Sequence, residues 1–498
     1  MQTTLLLDIA ADACPDRLAL GTLADGLDFQ SVRARAQGVA EWLAGTQAQH
    51  VVFVGMNGAV LPVLLFAAGL AGLPFVPVNY RLTDADLRKL VARTAPGVVV
   101  VDDDMLPRID GVEGVELMAR SAFEARFMAA DAPVPDAMPD AENDIAVLLF
   151  TSGTTGDPKA AVLRHGNLTS YVMSTVEFLG SGEDEAALVS VPPYHIAGIS
   201  AILTSAYGGR RIVYLPAFTP EDWVETAARE KITHAMVVPT MLDRILDVMA
   251  KTGETLPALR ALSYGGGRMP EPVIARALTM LPHVAFVNAY GLTETSSTIA
   301  LLGAEDHRAA IASDDPLVRR RLGSVGQPLP TLELEIRRED GSVCGPCESG
   351  EIHVRGDQVS GEYLHKKAIA DDGWFATNDS GWLDEGGYLF VEGRLDDVIV
   401  RGGENISPGE IEDVLRGLDD VADVAVLGLP DDQWGEKVAA VIVSRSGTPE
   451  VAAMAAHVKA TLRSTKTPEA WFFRAELPYN ETGKLLRRVL KAELAETA

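Results

Sequence analysis

The chain has 498 residues, with 70 Asp and Glu against 43 Lys and Arg, which gives a formal charge of −27 and a sequence pI near 4.7. A field of that sign repels phosphodiester backbones and anionic lipid surfaces, excluding nucleic-acid and membrane-surface binding as the main task. With 47% apolar and 23% charged residues the chain has ample side chain for a core, and its length suits about three domains or subdomains.

The charge is uneven. Residues 459–498 carry eight basic against five acidic groups, a net of +3 on an otherwise acidic chain. Three cysteines, Cys14, Cys344 and Cys347, are too few and too odd in number for a disulfide framework and point to a reducing, cytoplasmic setting. The first residues lack the basic flank and apolar core of a secretory signal. The uncharged stretch Val51–Tyr80 is long enough to suggest a membrane span, but Pro62, Gly69, Gly72, Pro74 and Pro77 divide it into a strand, a buried helix near 59–70 and a second strand.

Short apolar runs then alternate with helical patterns: Val51–Val54, Phe75–Val78, Val98–Val101, Ile145–Phe150, Ala187–Val191, Arg211–Leu215, His234–Val238, Leu259–Tyr264 and Val284–Asn288, with helices such as Asp84–Ala95 and Pro220–Glu230 between them. This is the pattern of parallel α/β layers, whose functional residues sit in loops at the carboxyl ends of strands. From about Thr331 short alternating strands and Asp-Gly or Gly-Gly turns predict a β-rich subdomain, and Cys344-Gly-Pro-Cys347 falls in one of its hairpin loops, outside the helical context of a redox motif. After Gly393-Arg394 the pattern returns to mixed α/β, with a helix from Pro408 to about Leu418, strands at Val421–Leu427 and Val438–Val443, and a helix near Val451–Arg463.

The strand Ile145–Phe150 runs into Thr151-Ser152-Gly153-Thr154-Thr155-Gly156-Asp157-Pro158-Lys159. Small hydroxyl residues, glycines and a terminal lysine allow N–H groups, hydroxyls and an ammonium to converge on phosphate oxygens. Asp157-Pro158 stands between Gly156 and Lys159, so the spacing is not that of the common helix-capping nucleotide loop. Further on come Tyr264-Gly265-Gly266-Gly267-Arg268, Tyr290-Gly291-Leu292-Thr293-Glu294, Gly373-Trp-Phe-Ala-Thr377-Asn378-Asp379, the run Gly393-Arg394-Leu-Asp396-Asp397 through Gly402-Gly403-Glu404-Asn405, and Asn480-Glu-Thr-Gly483-Lys484.

Taken in order, these segments resemble the motifs of the adenylate-forming (AMP-binding) superfamily, which includes acyl- and aryl-CoA synthetases, peptide-synthetase adenylation domains and firefly luciferase. The resemblance implies an α/β fold: a large N-terminal domain of two α/β subdomains plus a distorted β-barrel (residues 1–394, β-rich from about 325), a hinge at 395–396, and a small mobile α+β C-terminal domain (397–498). It implies an acyl-CoA synthetase of the fatty-acid–CoA ligase branch that uses ATP, Mg2+ and coenzyme A. The alternatives are a stand-alone ligase loading a carrier protein, an enzyme running one half-reaction, and a non-enzymatic adenylate-binding protein. Its partners are then a small carboxylic acid, ATP and CoA, with no nucleic acid and no membrane span, and with a homodimer left open.

The same resemblance distributes roles. Thr151, Ser152, Gly153, Thr154, Thr155, Gly156 and Lys159 face the phosphates; Gly265, Gly266 and Gly267 wall the adenine; Asn288, Ala289, Tyr290 and Gly291 receive it, with the Tyr290 ring stacked on the base. Thr293 bonds phosphate, Glu294 ligates magnesium, and Asp379 and Arg394 hold the ribose. Asp396 is the hinge, Gly402 and Gly403 line the CoA tunnel, and Lys484 bridges the attacking carboxylate and the α-phosphate. Two positions depart from the family: Asn378 stands where Gly is usual, and Arg268 stands where a small or apolar residue is usual, leaving open a charge at the nucleotide or one facing solvent.

Tyr194-His195 occupies the place of a gate over the acyl pocket, where amino-acid-activating relatives carry Phe-Asp; without that Asp nothing neutralises an amine, so a plain carboxylic acid is expected. Ala197, Gly198, Ile199, Ala201, Ile202, Ala289, Leu292 and Ser296 are small or apolar candidates for the pocket wall, which suits a hydrophobic acid: fatty, branched, aromatic or polycyclic. The basic terminus supplies positive charge for polyanionic ligands, with Arg487, Arg488 or Lys491 expected to meet CoA phosphates.

Overall fold

The structure is a computed structural model that describes residues 1–129, 143–151, 158–402, 404–431, 433–445, 447, 450–479 and 485–495. Four sheets organise these residues. The first has eight strands in the order Lys366–Lys367, Glu362–Tyr363, Lys159–Arg164, Ile145–Thr151, Phe75–Pro77, His50–Val54, Gly97–Val101, Val115–Ala119. The second has nine, in the order Gln327–Pro328, Ser297–Leu302, Ala285–Leu292, Ala261–Gly265, His234–Val237, Ala186–Val189, Arg211–Tyr214, Leu18–Leu20, Leu27–Asp28.

Parallel pairing runs through the middle of both sheets; antiparallel strands close both edges of the nine-stranded sheet and one edge of the eight-stranded sheet, whose other edge strand, Val115–Ala119, is parallel to its neighbour. Parallel strands buried on both faces need uninterrupted apolar sequence, and Val98–Val101 has it. The two sheets share one core, in which Phe53, Phe66, Phe75 and Leu149 meet Leu203 and Ile212. Helix Val60–Leu70 is the crossover between two of these strands and is apolar all round because it is buried among them. No helix among the described residues is long and apolar enough to cross a membrane.

Residues expected to form a distorted barrel form a four-stranded antiparallel sheet in the order Glu333–Arg337, Gly350–Arg355, Phe375–Leu383, Leu389–Arg394, with no ladder joining its outer strands among the described residues. Cys344 and Cys347 lie in the loop between its first two strands as free thiols, and Cys347 takes a φ of 61° that turns the chain. The fourth sheet pairs Val421–Asp431 with Gly435–Ser444 and adds Ile399–Arg401, Glu404–Ile406 and Ala470–Phe473. Its central strands read as continuous apolar runs because both faces are covered. Val424, Val426 and Ile442 meet Ile411 and Met454 on one side, and Leu427 and Val441 meet Leu490 and Leu494 on the other.

A buried histidine, His165, and a half-buried one, His234, make this fold sensitive to acid. His165 Nδ1 accepts the Thr3 N–H at 3.1 Å and stands beside Thr3 Oγ1, so it is held neutral; burial lowers its pKa to about 4, and burial does the same to His234. Unfolded histidine binds its proton near pH 6.5, so the unfolded chain takes up protons first as pH falls. The stability these two groups contribute is fully present above about pH 6.5 and is lost as pH falls toward 4, by up to about 3 kcal/mol for a group shifted that far. Melting temperature measured from pH 7.5 to 4.5 is expected to fall mainly below pH 6.5, and less steeply in His165→Gln; parallel curves would refute the assignment.

Candidate active site

The site collects at the carboxyl ends of the parallel strands. Strand Ala261–Gly265 pairs in parallel with Ala285–Leu292, setting Tyr264 opposite Asn288 and Gly265 opposite Ala289. The strands approach so closely that a Cβ on Gly265 would lie 2.3 Å from the Ala289 carbonyl oxygen, which is why glycine stands there. Gly266 and Gly267 are exposed beyond it. Asn288 is buried, and its Nδ2 donates to the Ser324 carbonyl at 2.9 Å, leaving Oδ1 as the acceptor end of the amide.

A bulge at Tyr290/Gly291 re-aims the end of this strand. Beyond it Thr293–Thr295 forms one turn of 3-10 helix, followed by Ser296 and Ser297 at φ of 57° and 113°, costly angles for residues with a Cβ. The turn is fastened to compensate: Thr295 Oγ1 bonds Leu292 N–H and the Ser297 carbonyl, and Gln358 Nε2 donates to the Thr295 and Thr298 carbonyls.

Two acids lie here, Asp379 on strand Phe375–Leu383 and Glu294 on the turn, each bonded by a tyrosine. Tyr290 Oη donates to Asp379 Oδ2 at 2.6 Å, and Arg394 Nε meets Asp379 Oδ1 at 3.1 Å; Asp379 and Arg394 face each other across the antiparallel ladder. Burial, then the Asp379 carboxylate, push the Tyr290 hydroxyl well above its usual range, so it stays a donor. Glu294, buried, accepts a 2.6 Å hydrogen bond from Tyr363 Oη on Oε1, while its carbonyl accepts from Ser360 N–H, Gly361 N–H and Ser360 Oγ. Lys159 Nζ lies 5.8 Å from the centroid of the same Tyr363 ring. Thr151 sits opposite Lys159 in the hairpin ladder. The structure thus brings together Thr151, Lys159, Asn288, Ala289, Tyr290, Gly291, Thr293, Glu294, Asp379 and Arg394. Ser152, Gly153, Thr154, Thr155, Gly156, Gly403 and Lys484 lie outside the described residues.

Tyr194 is buried against Tyr80, ring edge to ring face at 5.8 Å, and His195 packs on Tyr194 at 4.7 Å at the N-terminus of helix Ile196–Gly208. Ile199 and Ile202, named for the acyl wall, belong to the core shared by the two sheets and are almost fully covered, because they lie on the face of that helix turned to the core. Gly198 and Ser296 are also buried, while Ala197, Ala201, Ala289 and Leu292 are half-buried.

The two departures from the family both reach toward the small C-terminal portion. Arg268 is exposed and forms an ion pair with Asp413 on helix Pro408–Arg416. Asn378 takes the left-handed φ of 60° that glycine would supply, and its Nδ2 donates to Asp396 Oδ2 at 3.0 Å. Gly402, at φ of 58°, donates its N–H to the Trp434 carbonyl, and a Cβ there would lie 2.9 Å from the indole, over which Arg401 is stacked. The basic terminus departs from expectation: Arg487 pairs with Glu412 and Lys491 with Glu436, while Arg488 is exposed. Glu412 is buried and its carboxylate requires a counter-charge, which claims Arg487 for the small domain's interior. Trp434 and Tyr363 escaped sequence reasoning; neither falls in a motif that names it.

Residues 7–364 match the AMP-binding enzyme family, and residues 410–484 match the AMP-binding enzyme C-terminal domain. The chain belongs to the AMP-binding enzyme family. Among curated relatives, a feruloyl-CoA synthase of Amycolatopsis sp is 32% identical over 88% of this chain and 87% of its own length, and a 2-succinylbenzoate–CoA ligase of Bacillus cereus is 30% identical over 97% and 96%. The solved O-succinylbenzoate coenzyme A synthetase from Bacillus subtilis, in complex with ATP and magnesium ion, superposes with a TM-score of 0.83 at 29% identity, covering 98% of this chain and 99% of that one. These names carry aromatic acids and do not support the expectation of fatty-acid metabolism.

Proposed function

We propose that this AMP-binding enzyme is an AMP-forming acid–thiol ligase that activates a carboxylic acid bearing an aromatic ring and transfers it to coenzyme A. One observation carries the reading: Lys159, Glu294, Tyr290, Asp379 and Arg394, drawn from distant segments, converge at one end of the parallel strands with the charges a nucleoside triphosphate needs. The aromatic preference is supported by the relatives' substrates and by the Tyr80–Tyr194–His195 ring cluster beside the expected acyl pocket.

In this reading the adenine lies against Tyr290 with its amino group on Asn288 Oδ1, and the ribose hydroxyls take the Asp379 oxygens that Tyr290 and Arg394 hold in place. Thr151, Thr293 and Lys159 hold phosphate oxygens. The acid's oxygen attacks the α-phosphorus, and the bond to pyrophosphate breaks. Two anions must meet in that step, and the Lys484 ammonium between them offsets their repulsion. The CoA sulfur then attacks the acyl carbonyl and AMP leaves. The small domain turns about Asp396 between these steps and brings Gly402 and Gly403 to the thiol's path.

Magnesium fits the donor set. Among the described residues no three His, Cys, Asp or Glu side chains gather as a ligand set; Glu294 would hold the ion with one hard carboxylate, alongside phosphate oxygens of the nucleotide. Bound there, it would supply charge neutralisation to the phosphates.

A CoA-dependent AMP-release screen over hydroxycinnamic, benzoic, indole-containing and fatty acids tests the reading. Turnover is expected with an aromatic class and at least ten-fold less with straight-chain fatty acids. Preference for fatty acids would overturn the substrate class, and loading of a carrier protein without CoA would replace the acceptor.

A further inference from the structure

We propose that Tyr363 is a positioning residue for the nucleotide step: its hydroxyl occupies Oε1 of Glu294 and aims Oε2 at the metal-bound triphosphate, while the short strand carrying it holds Lys159 and Glu294 at a fixed separation. The inference rests on the reading of Glu294 as the magnesium carboxylate. Three independent observations support it. The hydrogen bond is short, 2.6 Å, and made to a carboxylate only 8% exposed, so water does not readily replace it. The Glu294 backbone is clamped by the same segment, with Ser360 N–H at 2.9 Å and Gly361 N–H at 3.0 Å from its carbonyl oxygen.

The third is pairing. Tyr363 lies opposite Ala161 and Leu364 N–H donates to the Ala160 carbonyl at 2.9 Å, so the segment is knitted to the strand that begins with Lys159. One stretch, residues 360–364, therefore links the lysine that ends the phosphate loop to the acid of the metal site.

Removing the hydroxyl alone keeps the ring, the strand pairing and the Lys159 contact. In Tyr363→Phe the freed carboxylate rotates, and a hydrogen bond to a charged group is lost, which corresponds to about ten-fold in affinity. Calorimetry of ATP binding with and without Mg2+, on the full chain, is the direct measurement. The wild type is expected to bind ATP more tightly with Mg2+; Tyr363→Phe is expected to lose about ten-fold of that metal-dependent gain, keep its affinity for ATP without Mg2+, and reach half-maximal adenylation at a correspondingly higher Mg2+ concentration. Glu294→Gln serves as the reference and is expected to lose the gain altogether. If Glu294→Gln loses the gain but Tyr363→Phe keeps it within two-fold, the role of Tyr363 is overturned and the Glu294 reading stands. If Glu294→Gln keeps the gain, both are overturned. An equal loss of ATP affinity with and without Mg2+ in Tyr363→Phe would make the residue merely structural and overturn the proposal.

Discussion

Lys484→Ala is expected to lower acyl-adenylate formation by about 10²–10³-fold while leaving thioester formation from supplied acyl-adenylate within two-fold. The asymmetry follows from charge. Only the first half-reaction drives a carboxylate onto a phosphate, and a single ammonium placed where the charge develops supplies stabilisation that water cannot pre-arrange. The described residues on either side are held in place: Tyr479 and Leu485 pair as an isolated antiparallel bridge, Leu486 N–H donates to the Pro478 carbonyl, and Tyr479 Oη is anchored on Asp423 at 2.7 Å. Pyrophosphate exchange measures the first step, and thiol consumption from synthetic acyl-adenylate the second. Equal losses in both would refute the assignment.

Asp379→Ala is expected to weaken ATP binding by about 100-fold and to destabilise the protein by about 1–3 kcal/mol. Both effects come from one carboxylate serving two donors. Without it the Tyr290 hydroxyl and the Arg394 guanidinium lose their shared acceptor in a partly dry site, although Arg394 keeps a 2.8 Å bond to the Thr377 carbonyl. Asp379→Asn separates the contributions, because it keeps an acceptor while removing the charge. The affinity loss is expected to persist in part, and most of the stability to return. Calorimetric ATP affinity and chemical denaturation check the pair, and an alanine variant with unchanged affinity would remove Asp379 from the nucleotide site.

The layered α/β fold is legible in the sequence because buried parallel strands must be apolar throughout, so the nine apolar runs from Val51 to Asn288 fall within a few residues of observed strands, while Val115–Ala119 and Lys159–Arg164, less apolar or at an edge, go unannounced. The residues proposed for the nucleotide can be named from the sequence because their motifs are local: a strand end, a glycine approach, a turn. Tyr363 is not. It lies in a two-residue strand, Glu362–Tyr363, too short for any periodicity, and its partners Ala161 and Glu294 are remote in sequence. The charged terminus misleads for a related reason. Counting charges from 459 to 498 reveals a surplus but not its address, and the buried Glu412 takes up Arg487 before any ligand can. Arg268 reads as a surface charge and stays one, but its partner, Asp413 of helix Pro408–Arg416, is remote in sequence.

The pairing of Tyr363 with Ala161 also bears on how the chain comes into being. Strand Lys159–Arg164 is made early, but the strand that covers its outer edge follows roughly 200 residues later. At about 5–20 residues per second of synthesis, that edge stays bare for roughly 10–40 s on a nascent chain, offering unpaired N–H and C=O groups to any passing strand. Neither the sheet's edge nor the seat of Glu294 can be completed until residue 363 has emerged, so the later steps of synthesis are the ones that finish both the protein's protection from aggregation and its capacity to act.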